Sequence, residues 1–130
     1  ILFKLERKLR EFIINKLEEN YNNSWLNAVP RSIINKCENR ARKEKQTYQD
    51  ITQEEVNQIL GYADFSDIKK IIITNWTIFE HYFSNTDLIE NKLEELEIPR
   101  NTIAHNRIIS VTELNRISVY ANDLNRCMDR

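Results

Sequence analysis

The apolar residues of this chain recur at every third or fourth position over most of its length. The pattern is clearest in residues 2–20, where Lys, Arg and Glu fill the positions between the apolar ones. Because one turn of an α-helix takes 3.6 residues, this spacing predicts an amphipathic helix with one buried face. The apolar positions that define this face are Leu2, Leu5, Leu9, Phe12, Ile13 and Leu17.

A second helix is predicted after a short turn that carries Trp25, with Pro30 at its first position, where proline is well tolerated. Its inward positions are Ile33, Ile34, Cys37 and Ala41, and its basic side chains are expected to stay solvated: Arg31, Lys36, Arg40, Arg42, Lys43 and Lys45. Two interpretations of this basic face stay open. It is an ordinary solvated side of a helix, or it is a track for an RNA backbone, which Arg40, Arg42 and Lys43 would contact.

Two capping patterns divide the middle of the chain. Thr52 and Glu55 form a capping box that opens a helix through residue 60, and Gly61 is expected to close it in the left-handed conformation. Asp64 or Ser66 then caps a long central helix that extends to residue 83. That helix carries most of the aromatic bulk, and its apolar positions are Ile68, Ile71, Ile72, Trp76, Phe79, Tyr82 and Phe83.

The C-terminal third contains two further amphipathic segments. The first leads to Pro99, which is expected to interrupt the helix, because proline lacks an N–H and disfavours a helical conformation of the residue before it. The last helix follows a capping pattern formed by Ser110 and Glu113. Five to seven helices with short connections and no convincing strand predict an all-α, up-and-down helical bundle.

Composition limits the remaining possibilities. A chain of 130 residues predicts one domain, residues 1–130, and a first residue other than Met indicates a fragment of a longer chain. The net charge of −1 excludes attraction of the whole surface to nucleic acid or membrane, and no apolar run approaches the roughly 20 residues of a membrane span.

Cys37 and Cys127 have no clustered partners, so we expect free thiols in a reducing, cytoplasmic environment, with no metal and no cofactor.

One segment concentrates polar chemistry: IPRNTIAHNR, residues 98–107, which holds one of the two histidines of the chain. The other, His81, has no ionisable partner at helical spacing and is given no chemical role. If Pro99 opens a helix, Asn101 and His105 lie on one face, and Arg100 lies about 140° around the axis from His105. We expect the N-terminal end of this helix to favour a bound phosphate.

These residue types suit RNA cleavage by internal transfer. Histidine can accept the proton of a 2′-OH or donate one to the leaving 5′-oxygen, and arginine can hold the phosphate. Asparagine can orient either group. The reaction needs two acid–base groups, and a symmetric dimer that brings two motif helices together would supply the second. The other interpretation is a chance spacing in a capped helix that merely exposes polar residues.

At these residues the sequence resembles a HEPN domain, whose signature is arginine, a polar residue, three variable positions and histidine. Here the signature is formed by Arg100, Asn101, residues 102–104 and His105. The segment FSDIKKIIITNWTIFEHYF, residues 65–83, is similar to the core of one HEPN subgroup, and the resemblance covers most of the chain.

The resemblance implies a helical bundle that dimerises through the motif helices. It implies an endoribonuclease that works without metal and leaves a 2′,3′-cyclic phosphate and a 5′-OH, with Arg100 and His105 catalytic and Asn101 supporting them. Asn106 and Arg107 are predicted RNA contacts. Such domains act in toxin–antitoxin systems, antiviral defence and RNA processing, controlled by a fused sensor or an antitoxin. Two alternatives stay open: a catalytically inactive HEPN module for dimerisation or nucleotide binding, and a structural bundle whose basic side docks a protein.

Overall fold

A computed structural model describes residues 2–47 and 59–130, and these ranges are almost entirely helical. Within them there is no strand, and the prediction of an all-α bundle with five to seven helices is confirmed. The helices are α1 (Leu2–Tyr21), α2 (Arg31–Thr47), α3 (Phe65–Thr74), α4 (Trp76–Phe83), α5 (Thr86–Ala104) and α6 (Val111–Met128). Two 3₁₀ segments, Asn22–Ala28 and Ile59–Tyr62, lie before and after α2.

All six helices contribute to one hydrophobic core. The apolar stripe of α1 is buried as predicted, and α1 packs against both α3 and α6. Phe12 extends this stripe into an aromatic cluster with α4, where its ring meets Tyr82 edge-on at 5.0 Å between centroids. The 3.6-residue period of apolar positions therefore identified the core-facing side of α1 correctly.

The predicted central helix is two helices, which is a correction at Asn75. The buried side chain of Asn75 donates from Nδ2 to the carbonyl oxygens of Ala28 and Ile71, each at 3.0 Å. The first bond ties the junction of α3 and α4 to the 3₁₀ segment before α2. The apolar spacing predicted one continuous helix, but the helix is interrupted at Asn75, whose side chain bonds to two different elements.

The interruption predicted at Pro99 is also wrong, because α5 continues through Pro99 to Ala104. The proline ring is buried. In an exposed helix interior a proline costs about 3 kcal/mol, since it removes one hydrogen bond and crowds the preceding turn. Packing of the buried ring offsets that cost, and the helix remains continuous.

The predicted helix ends are confirmed at two places and wrong at one. Asp64 caps α3 through a capping box with Asp67, and the Ser110 side chain accepts a hydrogen bond from the N–H of Glu113 at the start of α6. Gly61 lies in the second 3₁₀ segment and does not have a positive φ. The predicted capping box of residues 52 and 55 lies outside the described residues. No helix in the described ranges is long and apolar enough to span a bilayer.

Candidate functional site

The segment of residues 98–107 lies at the C-terminal end of α5, and the prediction that it opens a helix is wrong. Ala104 is the last helical residue and His105 is the C-cap. The C-terminal end of a helix carries partial negative charge, so the backbone here does not favour a phosphate. Any anion bound at this site must be held by side chains.

Asn106 terminates the helix through its backbone conformation. Its φ of 57° is left-handed, a conformation that asparagine tolerates better than most residues. The N–H of Asn106 donates to the carbonyl of Ile103 at 2.9 Å, and the N–H of Arg107 donates to that of Thr102 at 3.0 Å. This pair of bonds is a Schellman motif. Asn106, a predicted RNA contact, therefore has a structural role as well.

Asn101 and His105 lie on one face of the helix end, as their spacing of four residues predicted. The backbone N–H of His105 donates to the carbonyl of Asn101 at 3.1 Å, and both side chains are exposed. Within the described ranges no side chain forms a hydrogen bond with the His105 imidazole. Both ring nitrogens are therefore accessible to a ligand from solvent.

Arg100 is half-buried and held by residues of α1. Its Nε donates to Oε2 of Glu6 at 3.0 Å, and its guanidinium carbon lies 5.7 Å from the centre of the Phe3 ring. Its Nη1 lies 3.5 Å from Oδ1 of Asn101, at the limit of a hydrogen bond. Arg100 is thus fixed between a carboxylate and an aromatic ring, on the side of the helix that faces α1.

Glu6 in turn is held by a second arginine. Oε1 of Glu6 accepts a hydrogen bond from Arg10 at 2.8 Å, and Arg10 also donates to the carbonyl of Ala63 at 3.1 Å. Glu6, Arg10, Arg100 and Arg40 line one shallow cavity of about 280 Å³. The structure therefore brings two residues of the predicted site, Arg40 and Arg100, to the same cavity from α2 and α5.

Arg40 is not solvated as predicted, because it is paired with the start of α3. Its Nη1 donates to Asp67 at 2.8 Å, and its Nη2 lies 3.3 Å from Asp64. Lys36 completes this cluster: its Nζ lies 2.8 Å from Oδ1 of Asp67, whereas Arg40 bonds to Oδ2. The Asp67 side chain is fully buried. The two remaining predicted contacts on α2, Arg42 and Lys43, are exposed.

The pKa values of two carboxyl groups near the cavity are shifted in opposite directions. Burial acts to raise the pKa of Asp67, but hydrogen bonds from Lys36, the Asp64 backbone and Arg40 outweigh it, and the pKa is lowered. Burial raises the pKa of Glu97, and the negative charge of Asp64 adds to that effect. Glu97 is eight residues before His105, about 12 Å along the helix, and it is partly buried where His105 is exposed, so the two side chains do not form one site.

Three residues of α1 that contact or support Arg100 were missed by sequence reasoning: Phe3, Glu6 and Arg10. A signal for Glu6 exists in the sequence, since it lies four residues after Leu2 and three before Leu9, on the apolar stripe of α1. A carboxylate at such a position needs a buried partner. Nothing local identifies Arg100 as that partner.

The other histidine lies apart from this site. His81 is exposed on α4 and lines a different surface depression, together with Lys16 and Tyr82. Within residues 2–47 and 59–130, no three His, Cys, Asp or Glu side chains come together as a group that could hold a metal ion.

Comparison with known families covers the chain almost from end to end. A family model described as Swt1-like HEPN matches residues 1–129. No curated protein and no solved structure matches the chain significantly. The matched range includes both α1, which supplies Glu6, and the end of α5, which supplies Arg100, Asn101 and His105. The chain belongs to the Swt1-like HEPN family.

Proposed function

We propose that this HEPN domain is an endoribonuclease that cleaves RNA without a metal ion. The 2′-oxygen of a ribose attacks the adjacent phosphorus, the bond from phosphorus to the 5′-oxygen breaks, and the products are a 2′,3′-cyclic phosphate and a 5′-OH. The observation that carries the proposal is the accessible His105 imidazole on the same helix end as an arginine whose guanidinium is already fixed in place.

Each residue of the motif has a role in this reaction. His105 exchanges the proton that the 2′-OH loses or the 5′-oxygen gains. Arg100 donates N–H groups to the phosphate and stabilises the charge that builds on its oxygens. Asn101 lies beside both and orients the phosphate through its amide, which carries no charge at any pH near neutral.

The second acid–base group is proposed to be His105 of a second copy of the chain. Exposed apolar side chains flank the motif on α5, the following loop and α6, and the side chain of Ile108 is 98% exposed. Large apolar side chains exposed close together in the chain are typical of an interface. The flanking residues are Ile98, Ile108, Val111 and Leu114. A two-fold axis through this surface would place two motifs face to face.

RNA contacts outside the reacting phosphate are proposed for exposed groups on two elements. Asn106 and Arg107 follow the end of α5, and Arg42 and Lys43 lie on α2. Arg40 lines the same cavity as Arg100, but it is bonded to two carboxylates. Its contact with RNA would therefore be weaker than that of an unpaired arginine.

Cleavage of total RNA in the presence of EDTA tests the proposal. His105→Ala should lower the rate by about 100-fold or more, the usual range for loss of a general acid or base. His81→Ala is the matched control, because it removes the other exposed histidine and should leave the rate unchanged. Unchanged cleavage by His105→Ala would refute the assignment of the site.

A catalytically inactive HEPN module for dimerisation or nucleotide binding is the second candidate. One observation favours it: Arg10, Arg40 and Arg100, the arginines of the cavity, are each bonded to a carboxylate. Such a module would dimerise and bind nucleotide but leave RNA intact. Wild-type protein that sediments as a dimer and fails to cleave RNA would support this second function.

The biological setting is proposed from the same family relationship. An RNA-cleaving domain of this kind fits an effector in defence, in a toxin–antitoxin pair or in RNA processing, restrained by a fused sensor or an antitoxin. Both thiols, Cys37 and Cys127, are free, which fits a reducing cytoplasmic environment.

A further inference from the structure

A buried carboxylate stands opposite the motif arginine. The Glu6 side chain is only 6% exposed, and its Oε2 accepts the Nε–H of Arg100 across 94 positions of sequence. We propose that Glu6 is a positioning residue for Arg100 in RNA cleavage. The inference rests on the proposed ribonuclease function and adds to it a residue from outside the motif.

The position of Arg100 on α5 explains why its side chain needs a partner such as Glu6. Arg100 lies about 140° around α5 from His105, on the side that faces α1, so one phosphate can contact both residues only if the guanidinium keeps a fixed orientation. The bond from Nε to Glu6 fixes the guanidinium plane, and the Phe3 ring lies near its guanidinium carbon. Since a guanidinium has five N–H donors, Nη1 and Nη2 retain donors for a phosphate.

Glu6 is itself held by other residues, as a positioning residue must be. Its other oxygen, Oε1, accepts from Arg10, and Arg10 is anchored to the carbonyl of Ala63. Both carboxylate oxygens are therefore occupied by arginines, and the neighbouring Leu5 and Leu9 are buried. Together Glu6, Arg10 and Arg100 carry one net positive charge, which suits an anionic substrate. A carboxylate buried on an apolar stripe is costly unless paired, and here the pairing orients Arg100.

The test compares Glu6→Gln and Glu6→Asp with a matched control, Asp123→Asn. Asp123 on α6 also pairs with two cations, Lys92 and Arg126, and it lies outside the proposed site. Each variant is assayed for RNA cleavage under EDTA, with kcat and KM referred to the folded fraction measured by circular dichroism. The Arg100 Nε–H signal is followed by ¹⁵N NMR and assigned by its absence in Arg100→Lys.

Glu6→Gln should lower kcat by about 10- to 100-fold, the effect of a misplaced catalytic group, with KM changed by less than about threefold. The Arg100 Nε–H signal should broaden or vanish at the same time. Glu6→Asp should retain more activity than Glu6→Gln because it keeps the charge, and Asp123→Asn should retain both the rate and the signal.

Two failures are distinguishable. If the wild-type chain cleaves RNA and folded Glu6→Gln cleaves it equally well, the positioning role is refuted and the proposed function stands. If the wild-type chain does not cleave RNA, the proposed function is refuted and the catalytic role of Glu6 with it. In that case loss of the Arg100 signal in Glu6→Gln shows that the contact serves structure alone.

Discussion

Asp67 is a fully buried carboxylate whose charge is stabilised by two basic side chains of α2 and by the capping box of α3. Its pKa in the folded chain lies below the unfolded value of 3.8, because hydrogen bonds outweigh the effect of burial. A carboxyl group with a lowered folded pKa adds stability at pH values above its unfolded pKa. That contribution is lost as the pH falls through the folded value.

Asp67→Asn should therefore destabilise the fold at pH 7 and do so less at low pH. Removing one partner of a buried ion pair costs about 3 kcal/mol or more. Here Lys36 loses the carboxylate it is bonded to, and Arg40 keeps only its longer contact with Asp64. Urea unfolding at pH 7, 5 and 3 measures the difference, which should be constant from pH 7 to 5 and shrink below about pH 4. Asp129→Asn, at an exposed position, is the control. A difference that does not change with pH would contradict the assigned shift.

Residues differ in how far local sequence reveals their role. The apolar positions of α1 were identified because a 3.6-residue period depends only on the helix itself. Glu6 was missed because its significance depends on Arg100, 94 positions away, and no local pattern encodes such a partner. Asn101 and His105 were placed correctly on one face, since a spacing of four residues aligns side chains at either end of a helix.

Helix boundaries were the least predictable feature at the scale of elements. The predictions at Pro99 and Asn75 were wrong in opposite ways. At Pro99 a helix was expected to be interrupted but α5 continues, with the proline ring buried. At Asn75 a helix was expected to continue but is divided by a buried, hydrogen-bonded amide. Both outcomes depend on tertiary packing, which overrides local preference. As a consequence, the motif lies at the C-terminal end of α5, which carries partial negative charge, and not at the N-terminal end of a helix, which would carry partial positive charge.

The end of α5 can be tested at Asn106, whose φ of 57° the Schellman motif requires. Asn106→Val should destabilise the chain by about 1–2 kcal/mol, because a β-branched residue is strained in the left-handed region. Asn106→Gly should be neutral or slightly stabilising, since glycine adopts this conformation without penalty. Urea unfolding measures both changes.

These two variants also separate structure from RNA contact. If Asn106 serves only to end the helix, Asn106→Gly cleaves RNA at the wild-type rate. If its side chain also contacts RNA, the rate falls although the fold is retained. Equal stability of the glycine and valine variants would contradict the left-handed conformation.

At the scale of the whole molecule, one chain would supply half of what the proposed reaction needs. His105 is exposed, the other histidine lies on a separate surface, and exposed apolar side chains precede and follow His105 in the chain. Leu114→Glu places a charge among these apolar side chains and should convert the proposed dimer to a monomer in sedimentation, with loss of cleavage. Leu88→Glu, at a leucine near the start of α5 that is 57% exposed against 49% for Leu114, is the control and should change neither property.

Mixing experiments distinguish a shared site from two independent ones. If each site needs His105 from both copies, a dimer of one wild-type and one His105→Ala chain is inactive. An equal mixture, unfolded and refolded together so that chains redistribute, should then retain about one quarter of the wild-type rate, since only the pure wild-type dimers cleave. Independent sites would give about one half, because every wild-type chain would remain active whatever its partner. A rate near one half would refute the shared site while leaving His105 itself as the acid–base residue.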